Sequence, residues 1–248
     1  TEILRLEEKL RKLEEKLYTK DRRVIEGSQT LAGFGRTCIA LCNSKGLDLS
    51  CEYDYSMIGA EAIVKDGEEM FSSYDMKATD FADINIDEMA DKVVESAVAS
   101  IGTESVASGV YNIVLSNKMA ATLLSTFSSS FSADAAQRGL SLLAGKEGKQ
   151  IASELVTITD DPFCKETFLR MPFDGEGVAT RYKNVVEKGI LSTLLHNLTT
   201  ANKAGVASTG NGHKAGYADS VNIIPYNFYF AKGGAGSRED VFKAVDKG

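Results

Sequence analysis

The chain has 248 residues, of which 43% are hydrophobic and 25% charged, the balance of a globular domain long enough to bury a sizeable core. Its net charge of −7, with no concentrated basic stretch, excludes most classes of nucleic-acid-binding protein. No apolar run reaches the roughly 18 residues that span a bilayer, and the charged N-terminus is unlike a signal peptide. The four cysteines form no CxxC pair, which is typical of reduced thiols, so we expect a cytoplasmic protein.

Residues 1–20 are predicted to form an amphipathic helix that precedes the main body of the chain. Leucines recur three or four positions apart between Glu and Lys, at Leu6, Leu10, Leu13 and Leu17. This seam resembles a short coiled coil, so it either docks on its own domain or pairs with a second copy of the chain. The repeated LEEKL is regular enough that a non-native, engineered helix is a further alternative.

An antiparallel meander with one solvent-facing side is predicted next, because polar and apolar residues alternate around turns at Lys45-Gly46 and Asp66-Gly67. A helix over residues 86–102 follows, with Asp87 and Glu88 in its first turn and Gly102 at its end. The apolar stretch GVYNIVLSN then predicts a short buried strand.

The stretch LLSTFSSSFS, residues 123–132, has the serine content of a linker but the apolar spacing of a helix. In a helix, at 100° per residue, one broad arc of the surface contains the apolar residues Met119, Leu123, Leu124, Phe127 and Phe131. We therefore predict an amphipathic helix from an N-cap near Asn117 to about Ser132, with serines on its far face.

The remaining chain predicts short strands and helices. A strand ends in TITDD, a hairpin turns at Glu187-Lys188-Gly189, and a short helix closes on Gly205. The stretch VNIIPYNFYFAK is typical of an edge or bulged strand because of Pro225, and Ser237 with Asp240 begins a last helix. The order predicts an α+β fold of antiparallel or mixed sheets with flanking helices.

Acidic residues cluster at Asp160, Asp161, Asp174 and Glu176. Their oxygens suit a hard cation, but no EF-hand spacing is present, so turn-forming and capping roles are the favoured interpretation. A serine hydrolase is not indicated, because there is no GxSxG elbow and only His196 and His213 could serve as a base.

The loop STGNGHKAGYA is the second candidate site. Asn211-Gly212 predicts a tight turn with positive φ, from which His213 projects. We predict a peptide-binding role for Ser208, Thr209, Asn211, Gly212 and His213. The alternative is an ordinary surface loop.

Several stretches, in order from about Asp21 to Gly248, together resemble the TldD/PmbA family, and the PmbA (TldE) branch in particular. They are KDRRVIEGS, GVYNIVLSN, ASELVTITDDP, PFDGEGVATR, VVEKGILSTLLHNLTTANKAG, ASTGNGHKAGYA and NFYFAKGGAGSREDVFKAVDKG. The resemblance implies that residues 21–248 hold the central and C-terminal domains of that family, incomplete at the C-terminus. Family members carry an N-terminal domain and further strands, so we expect a chain truncated at both ends.

The resemblance also suggests a functional interpretation of the serine-rich helix. TldD-branch members carry an HExxxH zinc motif on this helix, and its three positions fall here on Ser125, Thr126 and Ser130. Hydroxyls are poor zinc ligands, and threonine cannot replace a carboxylate base. The resemblance therefore implies that this chain has no catalytic residues and binds no metal, with zinc on a TldD-type partner.

The function that the resemblance implies is that of a non-catalytic subunit in a cytosolic zinc metallopeptidase. Such complexes process unfolded peptides, including a microcin precursor and an antitoxin, and this subunit would shape the chamber and the substrate groove. One alternative is a metallopeptidase with an unrecognised site, built from His213 and the Asp160–Asp161 turn. Another is a homo-oligomeric peptide-binding or scaffold protein, a homodimer for example. The family's old label as modulator of DNA gyrase has no support from the acidic charge balance.

Overall fold

The computed structural model describes residues 2–78, 83–167, 169–233, 236–243 and 245. The chain divides into two compact units. The first comprises Thr1–Cys38, Glu52–Ser108 and Glu166–Phe168, and the second comprises Ile39–Cys51, Gly109–Lys165 and Leu169–Gly248.

A three-stranded sheet runs through the first unit in the order β1-β2-β3. The strands are β1 (Gln29–Cys42), β2 (Asp48–Asp66) and β3 (Glu69–Ala78). Strands β2 and β3 are antiparallel, with Asp66 opposite Glu69. Gly46 and Gly67 have φ of 91° and 60°, a left-handed backbone that glycine adopts without steric cost, so both predicted hairpins are confirmed.

Two helices, α1 (Glu2–Lys20) and α2 (Ile86–Val98), complete the first unit. Leu13 and Leu17 of α1 are fully buried and share a core cluster with Met89 of α2 and Ile58 of β2. The leucine seam therefore docks on its own domain, and a coiled coil through Leu13 and Leu17 would require α1 to detach. The second helix ends at Val98, earlier than predicted, and Gly102 closes a separate turn.

The second unit combines a four-stranded antiparallel sheet, a two-stranded sheet and short helices. The larger sheet has the order β6-β5-β4-β9, from β4 (Ile158–Asp160), β5 (Lys183–Glu187), β6 (Ile190–Leu191) and β9 (Phe228–Phe230). The smaller pairs β7 (Gly212–His213) with β8 (Asn222–Ile223). The helices are α3 (Asn117–Phe127), α4 (Ala133–Gln137), α5 (Leu198–Ala204) and α6 (Arg238–Lys243).

Turn and capping residues place β5, β6 and α5 as predicted, whereas the strand predicted around Pro225 is divided. Lys188 and Gly189 both have positive φ, 46° and 79°, and turn β5 into β6. Asn197 caps α5 in a capping box and Gly205 closes it in the left-handed region. Pro225 lies between β8 and β9, so the single strand predicted there is instead two short ones.

The stretch GVYNIVLSN is not a buried strand, and that prediction is wrong. Residues 110–116 form no regular secondary structure, and Val110 and Ile113 are 100% and 76% exposed. A strand needs a neighbour for its backbone N–H and C=O groups, and within the described chain no strand pairs with this segment. Apolar composition alone therefore misled the prediction.

Helix α3 packs on the core of the second unit through part of its apolar arc. Leu124 and Phe131 are buried, and the Phe131 ring meets that of Phe228 edge-on at 5.3 Å between centroids. The other arc residues, Met119, Leu123 and Phe127, remain about half exposed. The predicted α+β fold is thus confirmed, and no helix in the part of the chain described has the length and apolar character to cross a membrane.

Candidate functional site

The serine-rich helix begins and ends differently from its prediction. Its N-cap is Ser116, whose hydroxyl accepts a hydrogen bond from the Met119 N–H at 3.2 Å, and not Asn117. The α-helix stops at Phe127, where a 3-10 turn over Ser128–Phe131 takes over. The Ser128 hydroxyl donates to the Ser125 carbonyl at 2.8 Å, and such bonds compete with a regular helix.

Ser125, Thr126 and Ser130 lie on this helix and the turn after it, with Ser125 and Thr126 exposed and Ser130 half-buried. The Thr126 hydroxyl donates to the Thr122 carbonyl at 2.8 Å, so its hydrogen is used within the helix. None of the three presents an imidazole, thiolate or carboxylate, so the residues present do not fit a zinc ion. Across the described ranges, no group of three or more His, Cys, Asp or Glu side chains could hold a metal.

The predicted peptide-binding loop is folded tightly against the body of the second unit. Ser208, Thr209, Asn211 and Gly212 are buried, and His213 is half-buried. The positive φ expected at Asn211-Gly212 falls on Gly210 instead, at 72°. A direct role in peptide binding stays a prediction for all five residues, and His213 is the one whose side chain retains solvent exposure.

Asn211 is the centre of a buried polar network that sequence reasoning did not detect. Its Nδ2 donates to Oδ2 of Asp160 at 2.8 Å and to the Ile224 carbonyl at 3.0 Å, and its Oδ1 accepts from the Thr209 hydroxyl at 2.7 Å. Lys183 Nζ donates to the same Asp160 oxygen at 2.9 Å. The network joins β4, β5 and the loop that leads into β7.

Lys183 belonged to no predicted site, although a signal for it existed. On β5 it lies two residues before Val185, which is fully buried, so strand alternation places both on one face. A charge on the inward face of a strand requires a partner, and Asp160 on β4 is that partner, opposite it in register.

Asp174 and Glu176 act as turn and capping groups, as predicted. Asp174 accepts from the N–H groups of Glu176 and Val178, both at 2.9 Å, and from Gly212 N–H at 2.8 Å. Glu176 accepts from the N–H of Leu198 at the start of α5. A Cβ on Gly212 would lie 2.7 Å from the Glu176 carboxylate, so a larger residue there would have to displace that side chain.

Among the described residues, the hydrogen-bond partners of the Asp160–Asp161 turn are groups other than His213, and the alternative catalytic pair stays a prediction. The Asp160 carboxylate takes its described hydrogen bonds from Lys183, Asn211 and the backbone N–H of Tyr226. Asp161 accepts from the Phe163 N–H at 2.9 Å, as a turn residue does. His213 instead pairs with Asn222 between β7 and β8.

Two buried polar atoms are unpartnered within the described chain, Nδ1 of His196 and the hydroxyl oxygen of Tyr226. Burial lowers the pKa of His196, against smaller opposing effects of Glu147 and the Thr200 backbone. Burial also raises the pKa of Tyr226 well above its ordinary value, and the nearby carboxylates of Asp174 and Asp160 add to this. Both groups are therefore held neutral at pH 7.

Comparison with known proteins gives matches along nearly the whole chain. Residues 108–248 match the model of the PmbA/TldA metallopeptidase C-terminal domain, and residues 2–101 match that of the PmbA/TldA metallopeptidase central domain. An uncharacterized protein of Methanocaldococcus jannaschii is 36% identical over 189 residues, which is 76% of this chain and 44% of the relative.

Two solved structures share the fold. A Thermotoga maritima protein described as a candidate modulator of a DNA gyrase superposes with a TM-score of 0.81 and 33% identity, over 94% of this chain and 54% of that one. TldE from Thermococcus kodakarensis superposes with a TM-score of 0.78 and 25% identity, over 95% of this chain and 53% of that one. The chain thus spans about half the length of these relatives.

Proposed function

This chain belongs to the PmbA/TldD metallopeptidase family, and from that premise we propose that it is a non-catalytic, TldE-like subunit whose zinc lies on a TldD-type partner. The observation that carries the proposal is the chemistry of α3 and the turn after it. Ser125, Thr126 and Ser130 stand where the zinc motif of the TldD branch would fall, and their hydroxyls supply neither ligands nor a general base.

The exposed face of α3 supports a subunit partner. Met119, Leu123 and Phe127 follow one another at intervals of four residues, and they are 55%, 47% and 57% exposed. Apolar side chains clustered on one exposed helix face are typical of protein interaction surfaces. Lys118 is the one charged residue in this helix, so its surface suits an apolar partner.

The substrate we propose is an unfolded peptide, handled in the cytoplasm. Among relatives of the chain are proteins named metalloprotease TldD homolog and metalloprotease PmbA homolog, which supports a role in peptide hydrolysis. In this proposal the chain shapes the groove, and the peptide contacts the β7–β8 region through His213. Hydrolysis takes place at the zinc of the partner subunit.

A peptide-cleavage assay tests the proposal. A dye-labelled unfolded peptide is incubated with this chain alone, with a TldD homologue that carries HExxxH, and with both, each with and without a chelator. We expect no cleavage by the chain alone and faster chelator-sensitive cleavage by the mixture than by the homologue alone. Chelator-sensitive cleavage by the chain alone would favour the unrecognised-site alternative. An unchanged rate on mixing would contradict the partner role.

A further inference from the structure

The small hairpin β7–β8 is anchored by one buried residue. Asn211 immediately precedes β7, and Ile224 immediately follows β8. Asn211 bonds Ile224 twice, through its Nδ2 to the Ile224 carbonyl at 3.0 Å and through its backbone carbonyl to the Ile224 N–H at 3.3 Å. Asn211 thus closes the base of the hairpin that carries His213.

Asp160 in turn fixes Asn211. Its Oδ2 accepts from Asn211 Nδ2 at 2.8 Å, and its Oδ1 accepts from the Tyr226 N–H at 2.7 Å, two residues beyond Ile224 at the hairpin base. Both Asp160 and Asn211 are 0% exposed. One carboxylate on β4 therefore sets the position of both chain segments that enter and leave the hairpin.

Stability alone is a poor explanation for this carboxylate. Its counter-ion Lys183 has a side chain only 9% exposed, so both charges of the pair have lost their water. A buried ion pair contributes little net stability compared with apolar residues of the same volume, because desolvation offsets the attraction. What apolar residues could not supply is the directed hydrogen bonding to Asn211 and Tyr226.

We propose that Asp160 is a positioning residue, which acts through Asn211 to hold the β7–β8 hairpin in the orientation that presents His213 to a bound peptide. The claim that the hairpin contacts a peptide rests on the proposed function. The claim that Asp160 controls the position of the hairpin does not depend on that function. The chemistry recognised at the hairpin is that of an extended peptide that offers a hydrogen-bonding group to the imidazole of His213.

The test uses Asp160→Asn in the full chain, with Asp161→Asn as the matched control. Asp161 is the neighbouring carboxylate, and its side chain accepts from the Phe163 N–H of the local turn. A second variant, Asn211→Ala, leaves the Asp160–Lys183 pair in place and serves if Asp160→Asn does not fold.

Two readouts separate positioning from simple loss of stability. The chain has two histidines, so the side-chain NMR signals of His196 and His213 resolve and can be assigned with His213→Gln. We expect Asp160→Asn and Asn211→Ala to shift the His213 signal and to weaken binding of a labelled unfolded peptide roughly ten-fold, as loss of a buried hydrogen bond would. Asp161→Asn should change neither.

Each outcome bears on one claim. If Asp160→Asn and Asn211→Ala lower the unfolding temperature but leave the His213 signal and peptide affinity unchanged, the positioning role is wrong. If the wild-type chain binds no peptide while the His213 signal still moves in Asp160→Asn and Asn211→Ala but not in Asp161→Asn, the proposed peptide role fails and control of the hairpin by Asp160 holds.

Discussion

The Nζ of Lys183 lies 2.9 Å from Oδ2 of Asp160, and the two side chains are 9% and 0% exposed. This pair crosses from β5 to β4 inside the second unit. Its depth distinguishes it from the surface pairs of the same chain, such as Arg36 with Asp54, whose side chains are 58% and 68% exposed.

Replacement of Lys183 with Met should destabilise the fold strongly, because it leaves the Asp160 carboxylate buried without its counter-ion. Loss of one partner of a buried pair costs about 3–5 kcal/mol. Urea unfolding of Lys183→Met and of Arg36→Met measures the difference. The surface variant should be nearly neutral. Equal midpoints for the two variants would show that the buried pair has no special role.

Stability should depend on pH through His196. Burial lowers the pKa of its imidazole in the folded state, so the unfolded chain, with an ordinary pKa of about 6.5, binds a proton that the native chain does not. The free energy of unfolding should therefore fall as the pH drops below about 6.5, and the loss continues down to the folded pKa. In His196→Gln the loss of stability that begins below a pH of about 6.5 should vanish. Parallel curves of unfolding free energy against pH for both proteins would contradict this prediction.

Because α1 is docked on the first unit, truncation of a buried leucine in this helix should lower the free energy of unfolding. Leu13 is 0% exposed in the core of the first unit, so Leu13→Ala should cost about 2–5 kcal/mol of unfolding free energy. Leu4 on the same helix is 62% exposed, and Leu4→Ala is the matched control with a small effect. If Leu13→Ala altered the oligomeric mass and not the stability, the seam would be an interface between copies of the chain.

The β5–β6 turn predicts that alanine in place of glycine destabilises the fold more at Gly189 than at Gly102. Gly189 and Gly102 have φ of 79° and 70°, so alanine at either position meets the same backbone strain, about 1–2 kcal/mol. A Cβ at Gly189 would also lie 2.3 Å from the Ala152 carbonyl oxygen, whereas one at Gly102 meets nothing within 4 Å. Thermal unfolding should show a clearly larger loss for Gly189→Ala than for Gly102→Ala.

Elements that depend on local chemistry were predictable from the sequence. The hairpin turns at Gly46, Gly67 and Gly189, and the closure of α5 at Gly205, depend on residues within a few positions of each feature. The turn-forming role of Asp174 is of the same kind, because its carboxylate accepts from N–H groups two and four residues away.

Features that depend on distant residues were not predictable. Asp160 meets Lys183 and Asn211 across 23 and 51 positions. Strand alternation indicates that Lys183 faces inward, but no local pattern identifies its partner. The same limit explains why the burial of Asn211 was not predicted. Its neighbours in the sequence are typical of a surface turn, but residues elsewhere in the chain bury it fully. For residues 110–116, apolar side chains indicated a strand, but no strand in the described residues pairs with them.

Measurement of the zinc content tests most directly the central claim that this chain has no zinc site of its own. The purified chain and its mixture with a TldD homologue that carries HExxxH are separated by size and analysed for metal. If Ser125, Thr126 and Ser130 mark a lost metal site, this chain alone should contain no stoichiometric zinc. The co-eluting complex should contain about one zinc ion for each homologue subunit, as expected for a site with one set of ligands. Stoichiometric zinc in this chain alone would contradict the account.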